Sequence, residues 1–157
     1  MKRLATLLLL TFVSCSVFAQ QKVYDDKLDA MQQIREAVAQ AKQTNRYVLC
    51  QVGGNWCPWC LRFAAFASSN EKVHQLIENN FVYIHVNYSK ENKNPEAMRY
   101  LGNPARFGFP VFVILDENGK LLHIQESGVL EEDKSYSEKK VVAFLSNWTR
   151  SAVETLK

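Results

Sequence analysis

Apolar residues recur at intervals of three and four between positions 24 and 44, which is typical of one face of an amphipathic helix. Asp25 or Asp26 can cap the start of this helix, because a side-chain oxygen there accepts hydrogen bonds from free backbone N–H groups. Thr44 and Asn45 follow its last turn. The pattern therefore predicts a helix ahead of the first strand.

The remaining segments follow the same two periodicities. The sequence predicts strands at 46–52, 81–87, 111–115 and 121–125, helices at 57–67, 71–79, 95–101 and 141–156, and a charged loop at 131–137. Helices separate the first two strands, which favours a parallel pair, whereas Asn118-Gly119 predicts an antiparallel hairpin between the last two. The expected fold class is α/β, with one domain built on a central mixed β-sheet flanked by helices.

Residues 1–19 have the pattern of a secretory signal peptide. Lys2 and Arg3 precede an apolar run, and Ala19 places a small side chain where a signal peptidase would cleave. The run is too short to span a bilayer as a permanent helix. We predict cleavage after Ala19, which leaves a domain at 20–157 in a periplasmic or secreted location.

Two other interpretations of this first segment stay open. The residues before Cys15 loosely resemble a lipoprotein processing site, but Phe12 stands where leucine is usual, so lipid anchoring at Cys15 is the weaker match. A buried N-terminal helix is the other alternative.

Charge gives little indication of a polyanionic partner. The formal charge of +3 falls to +1 without residues 1–19, because that segment carries two positive charges and no negative ones. The remaining lysines are scattered along the chain, whereas a nucleic-acid site needs a clustered basic face. We therefore expect no nucleic-acid partner and no stable membrane insertion.

Export would bring the cysteines into an oxidising compartment, where disulfides persist. Cys57 and Cys60 are separated by two residues, and Cys50 lies inside a predicted strand. Covalent haem would need a histidine after the second cysteine, where Leu61 stands. Structural zinc would need four ligands, and the histidines are isolated in separate elements. No cofactor or metal site is predicted, although a two-coordinate Cu(I) site stays open because thiolates suit this ion.

A redox role follows from the place of the pair between a strand and a helix. Pro58 is favoured at the first helical position, so Cys57 would lie at the helix N-terminus, where free N–H groups and the helix dipole favour a thiolate. Cys60 lies one turn further in and can attack a mixed disulfide formed at Cys57. Trp56 and Trp59 would give an apolar, substrate-binding surface around the sulfur; ordinary packing is the alternative.

Three features together resemble the thioredoxin superfamily: the WCPWC segment between a strand and a helix, Gly108-Phe109-Pro110 before a later strand, and the Asn118-Gly119 hairpin. The order of elements matches over residues 24–156, including an additional N-terminal helix. Within the superfamily the chain is most similar to small exported proteins that are disulfide-isomerase-like or linked to cytochrome c biogenesis. The resemblance implies a thioredoxin-like fold in which Cys57 attacks and Cys60 resolves.

The resemblance also implies that Pro110 follows a cis peptide bond and faces the disulfide; a trans proline opening a strand is the alternative. The backbone of Phe109 would then bind an extended substrate segment by strand addition. The buried aspartate of thioredoxin corresponds to Gln51, which cannot act as a general base, and its lysine partner to His85. Either Gln51 fills space with a satisfied amide, or the proton of the resolving thiol leaves through water or His85.

The sequence therefore predicts a thiol–disulfide oxidoreductase, a reductase or isomerase, acting on exported protein thiols or disulfides. Because neither Pro58 nor Trp59 is a cation, the intervening residues favour a reductant or isomerase over a strong oxidant. A reductant in an oxidising compartment would need a thiol donor, which the resemblance implies is membrane-borne. The alternative is a non-catalytic binding module for Cu(I) or a protein partner.

Overall fold

The computed structural model describes residues 22–155, and a four-stranded mixed sheet forms its centre. The strands are β1 (Tyr47–Gly53), β2 (Phe81–Asn87), β3 (Val111–Leu115) and β4 (Leu121–Glu126), in the spatial order β2-β1-β3-β4. β1 and β2 run parallel, whereas β3 runs antiparallel to both β1 and β4. The predicted α/β class, with a parallel pair and a terminal hairpin in one mixed sheet, is confirmed.

Helices cover both faces of this sheet. They are α1 (Ala30–Thr44), α2 (Pro58–Ser69), α3 (Glu71–Asn80), α4 (Pro95–Tyr100), α5 (Glu138–Asn147) and α6 (Arg150–Glu154), with short 3-10 turns at Pro104–Phe107 and Gly128–Leu130. Between positions 22 and 155, none of the helices is both long and apolar enough to traverse a bilayer. The predicted signal peptide at 1–19, including Cys15, lies outside the described residues.

The alternation of side chains along β1 divides the core into two layers. Val48, Cys50 and Val52 point to the layer formed by α1 and α4. Leu49 points to the opposite layer, which holds Phe63 of α2 together with apolar residues of α3 and α5. Every residue of β1 is buried, as expected for a central strand covered on both faces.

The first helix begins later than the spacing predicts, at Ala30 instead of residue 24. The cap is Asp29, whose carboxylate accepts hydrogen bonds from the backbone N–H groups of Met31 and Gln32 at 2.9 and 3.3 Å. The expectation that Asp25 or Asp26 caps the helix is therefore wrong. Residues 22–29 instead run irregularly across the sheet end and bury Tyr24 completely.

The C-terminal region also departs from the expected pattern. The charged segment forms a small hairpin of β5 (Glu131–Glu132) and β6 (Ser135–Tyr136), which brings Tyr136 into the core. The closing helix is two helices, because Trp148 ends α5 and stacks on His123 with ring centroids 4.3 Å apart. Thr149 then caps α6 by accepting a hydrogen bond from the N–H of Ala152.

Candidate active site

The two cysteines lie where β1 meets α2, as the spacing predicts. β1 ends at Gly53, and Cys57 is the N-cap of α2 with extended backbone angles of φ −100° and ψ 107°. Pro58 occupies the first turn, where a backbone N–H would have no partner within the helix. Its missing N–H therefore costs no helical hydrogen bond. The Cα atoms of Cys57 and Cys60 are 5.2 Å apart, and the two sulfurs are joined as a disulfide.

The two sulfurs have unequal surroundings. Cys57 keeps 4% of its surface exposed, whereas Cys60 is completely buried. The backbone N–H of Cys60 donates a hydrogen bond of 3.2 Å to the Sγ of Cys57. This N–H and the positive end of the helix dipole both favour negative charge on the Cys57 sulfur. The arrangement therefore favours Cys57 as the sulfur that meets a substrate and Cys60 as the one that closes the ring.

The two tryptophans flank the disulfide in different ways. Trp56 is 55% exposed, and its indole N–H donates a hydrogen bond of 2.7 Å to the carbonyl oxygen of Tyr88. Trp59 is half-buried, with its ring edge-on to Tyr136 and the Arg62 guanidinium 4.5 Å from its ring centroid. Trp56 thus presents a fixed apolar surface to solvent, whereas much of Trp59 is packed.

Phe109 and Pro110 lie directly before β3. The peptide bond between them is cis, as the resemblance implied. Pro110 is buried, and the half-buried Phe109 packs against the cluster that contains both cysteines. The Phe109 ring stacks on Tyr88 and meets Trp56 edge-on, with centroid distances of 5.0 and 5.4 Å. Trp56, Tyr88 and Phe109 thus form a continuous aromatic surface beside Cys57.

Behind Cys60, a buried polar network centres on Gln51. Its amide N–H₂ donates to the carbonyl oxygen of Cys60 at 2.9 Å and to the hydroxyl oxygen of Tyr24. Its amide oxygen accepts a hydrogen bond from the hydroxyl of Tyr83. Gln51 therefore has a fully satisfied amide, which is the first of the two roles considered for it from the sequence.

Tyr24 reaches this network because Asn55 holds the segment before α1 against the active-site loop. The Asn55 side chain accepts from the N–H groups of Val23 and Tyr24 at 3.0 and 3.1 Å and donates to the Tyr24 carbonyl oxygen at 2.7 Å. The sequence analysis did not identify Tyr24 or Asn55 as part of the site. Their contacts join positions more than 30 residues apart, so no local pattern indicates them.

His85 and Cys50 lie close to the site without joining its hydrogen bonds. His85 pairs with Gln51 in register between β2 and β1, and its buried Nε2 has no partner within residues 22–155. Burial lowers the pKa of His85 to about 4, which keeps the imidazole neutral. Cys50 points into the opposite layer of the core, and burial raises the pKa of its thiol well above its usual range. Among residues 22–155, no three histidine, cysteine or acidic side chains lie together in a group that could hold a metal ion.

A cleft of about 430 Å³ opens beside Trp56. Its walls are mostly apolar and its rim carries Lys90, Glu91 and Lys93. It adjoins the aromatic surface, because Trp56 and Tyr88 belong to both. The lysines at this rim appear in the sequence only as part of a polar loop.

The fold is similar to those of solved structures. The disulphide isomerase from Xylella fastidiosa Temecula1 is 26% identical, with a TM-score of 0.72 over 82% of this chain and 98% of that one. A thioredoxin from Thermus thermophilus shares the fold, with 23% identity and a TM-score of 0.53 over 78% of this chain and 88% of that one. Among curated proteins, none matches the sequence.

The family itself is identified from the sequence. The family model described as thioredoxin-like matches residues 29–117, which is more than half of the 157-residue chain. This match spans the junction of β1 and α2 and the start of β3, where the disulfide, Phe109 and Pro110 lie. The chain therefore belongs to the thioredoxin-like family, and its Cys57–Cys60 pair is that of a thiol–disulfide oxidoreductase.

Proposed function

We propose that the protein exchanges disulfides with exported proteins, acting as a reductase or isomerase. The observation that carries this proposal is the unequal placement of the two sulfurs: Cys57 caps α2 and keeps 4% of its surface exposed, and Cys60 is completely buried one turn behind it. A sulfur at a helix N-terminus is activated as a nucleophile, and a buried neighbour limits the lifetime of the adduct.

The exchange takes place in two steps. The Cys57 thiolate attacks a substrate disulfide, so that a bond forms between Cys57 and one substrate sulfur while the other leaves with the electron pair. Cys60 then attacks the Cys57 sulfur, which releases the second substrate thiol and closes the Cys57–Cys60 disulfide. The protein loses two electrons and two protons, and the substrate gains them.

The substrate would bind across the aromatic surface formed by Trp56, Tyr88 and Phe109. An extended segment there can pair with the backbone of Phe109, while an apolar side chain enters the cleft beside Trp56. Binding of this kind depends on main-chain hydrogen bonds and on apolar contact more than on the amino-acid sequence of the substrate. It therefore suits a protein that acts on partly folded chains.

We propose that the protein reduces or isomerises the disulfides of its substrates. The two residues between the cysteines, Pro58 and Trp59, carry no positive charge, so the helix end alone favours the thiolate. The similarity to a structure named as a disulphide isomerase supports the same direction. Because such a protein must be kept reduced outside the cytoplasm, we propose a membrane-borne thiol donor as its partner and a periplasmic or secreted location, for which the pattern of residues 1–19 is the support.

Reduction of insulin by dithiothreitol tests the proposal. The parent protein should accelerate the precipitation of insulin, and Cys57→Ser should remove the acceleration. Cys50→Ala is the matched control, because Cys50 is a buried cysteine in the other core layer and should be dispensable. Full activity in the Cys57→Ser variant would contradict the proposal. Stoichiometric copper in anaerobically purified protein, without insulin reduction, would favour the Cu(I)-binding alternative.

A further inference from the structure

The hydrogen bonds around Gln51 have a fixed direction. Only an N–H can donate to a carbonyl, so the contact with the Cys60 carbonyl oxygen fixes which end of the amide is nitrogen. The same nitrogen must then donate to the Tyr24 hydroxyl, which accepts with its oxygen. The Tyr83 hydroxyl donates to the other end of the amide. The chain of donors thus runs from Tyr83 through Gln51 to Tyr24.

This direction leaves the hydrogen of the Tyr24 hydroxyl unused. Within residues 22–155 it has no acceptor, although Tyr24 is completely buried. A methyl group built on Gly53 would lie 2.4 Å from the Sγ of Cys60 and 3.0 Å from the hydroxyl oxygen of Tyr24. The sulfur and the hydroxyl therefore share one small space above the Cα of Gly53, and Tyr24 packs in one cluster with both cysteines.

We propose that the Tyr24 hydroxyl donates a hydrogen bond to the Cys60 thiolate when the pair is reduced, and so takes part in the resolving step. A disulfide sulfur is a weak acceptor, whereas a thiolate carries a full charge and is a strong one. The proposal rests on the proposed exchange reaction and names a further residue for it. It assigns to the segment before α1 a role in chemistry beyond packing.

The resolving step has a defined balance with this donor. The Cys60 thiol gives up its proton to solvent, its thiolate attacks the Cys57 sulfur, and the bond between Cys57 and the substrate breaks. The electron pair leaves on the substrate sulfur, which takes up a proton in turn. Tyr24 keeps its own proton throughout and stabilises the charge on Cys60 before the new bond forms.

The other titratable groups near this space are less suited than Tyr24 to donate to the Cys60 sulfur. Tyr83 already donates to Gln51, and Tyr136 donates to the carbonyl oxygen of Trp59 at 3.1 Å. The imidazole of His85 is neutral, with a pKa lowered to about 4 by burial, so it brings no positive charge to a thiolate. Burial raises the pKa of Tyr24 far above its usual range, so this hydroxyl is a donor and not a base.

Stopped-flow reaction of the reduced protein with 5,5′-dithiobis(2-nitrobenzoate) separates the two sulfurs. The first release of thionitrobenzoate reports the attack by Cys57, and the second reports the attack by Cys60 on the mixed disulfide. Below its pH midpoint, the second phase should be slowed by roughly three-fold in Tyr24→Phe, because the loss of one hydrogen bond to a charged group raises the pKa of Cys60 while the remaining thiolate becomes more nucleophilic. The midpoint itself should rise by about one unit. The first phase should keep its rate.

Tyr100→Phe is the matched control, because it removes a tyrosine hydroxyl that donates to the Gly119 carbonyl oxygen and takes no part in the network around Cys60. Both phases should be unchanged in it. An unchanged second phase in Tyr24→Phe, or an equal slowing in Tyr100→Phe, would overturn the proposal. If Tyr24→Phe does not fold, 3-fluorotyrosine can be placed at position 24 instead. Its hydroxyl is a stronger donor and should accelerate the second phase. The absence of any acceleration would also overturn the proposal. A parent protein that releases no thionitrobenzoate in the first phase would instead contradict the proposed function.

Discussion

The side-chain amide of Gln51 lies beneath the first turn of α2 and donates a hydrogen bond of 2.9 Å to the carbonyl oxygen of Cys60. The strand before the active site is thereby joined to the resolving cysteine through a neutral group. In this position the amide orders its neighbours, since it has no proton to exchange at ordinary pH.

Gln51→Leu should lower the free energy of unfolding by about 1–3 kcal/mol, because the buried Tyr83 hydroxyl loses its acceptor and Tyr24 loses its donor. Urea unfolding followed by circular dichroism measures the change. Gln75→Leu, on the exposed face of α3, is the control and should shift stability by less than about 0.5 kcal/mol. Equal stability of the two variants would show that the network contributes nothing.

Gly53→Ala should be destabilising because the added methyl group would approach the Sγ of Cys60 to 2.4 Å. The surrounding atoms must shift to accommodate the methyl group, and over-packing of this kind costs about 1–3 kcal/mol of folding stability. Gly128→Ala is the matched control, since a methyl group there would have no neighbouring atom within 4 Å among the described residues. Thermal unfolding of the oxidised proteins compares the two. A Gly53→Ala protein as stable as Gly128→Ala would mean that the space beside Cys60 is larger than described.

His85 should make the protein less stable in acid. Its pKa is about 4 in the folded state and 6.5 in the reference state, so between these values the unfolded chain binds a proton that the folded one does not. Stability is then complete above pH 6.5 and declines as the pH falls toward 4, by at most about 3 kcal/mol. Urea midpoints at pH 7.5 and pH 5 should differ less in His85→Leu than in the parent.

His74→Gln is the control for this pH dependence, because His74 is exposed on α3. It should keep the full difference between the two pH values. A His85→Leu protein whose midpoint changes with pH as much as the parent's would mean that His85 is protonated as readily when folded as when unfolded.

Asn55→Ala should release the segment that carries Tyr24. Three hydrogen bonds link the Asn55 side chain to the backbone of Val23 and Tyr24, and their loss leaves two amides without acceptors. Hydrogen exchange should become faster at these two amides. The amides of Met31 and Gln32, which Asp29 caps, are an internal control and should keep their protection. Unchanged exchange at Val23 and Tyr24 would show that other contacts hold the segment.

The parts of the site that local chemistry determines could be predicted from the sequence. Pro58 marks the first turn of α2, and two intervening residues at a helix start bring Cys57 and Cys60 together. The parallel pairing of β1 with β2 and the hairpin of β3 with β4 follow similarly from the alternation of elements and from Asn118-Gly119. The cis bond at Pro110 was implied by the family resemblance and not by any local pattern.

The parts that depend on distant contacts could not be predicted in this way. Tyr24 fits the apolar spacing of α1, yet Asn55 and Gln51 draw it to the cysteines, and Asp29 then caps the helix. Tyr136 lies in a segment whose charges favour a loop, but its ring packs edge-on against Trp59 and so belongs to the core. In both cases the burial of a single aromatic side chain stabilises the fold by more than the polarity of its neighbours in the sequence indicates.

Mapping the mixed disulfide tests most directly whether Cys57 is the attacking sulfur. The reduced Cys60→Ser variant, incubated with a peptide that contains a disulfide, should accumulate an adduct that peptide mass spectrometry assigns to Cys57. Cys50 should remain unmodified, and Cys57→Ser should form no adduct at Cys60. An adduct at Cys60 or Cys50, or none in the Cys60→Ser protein, would contradict the assignment of the two sulfurs.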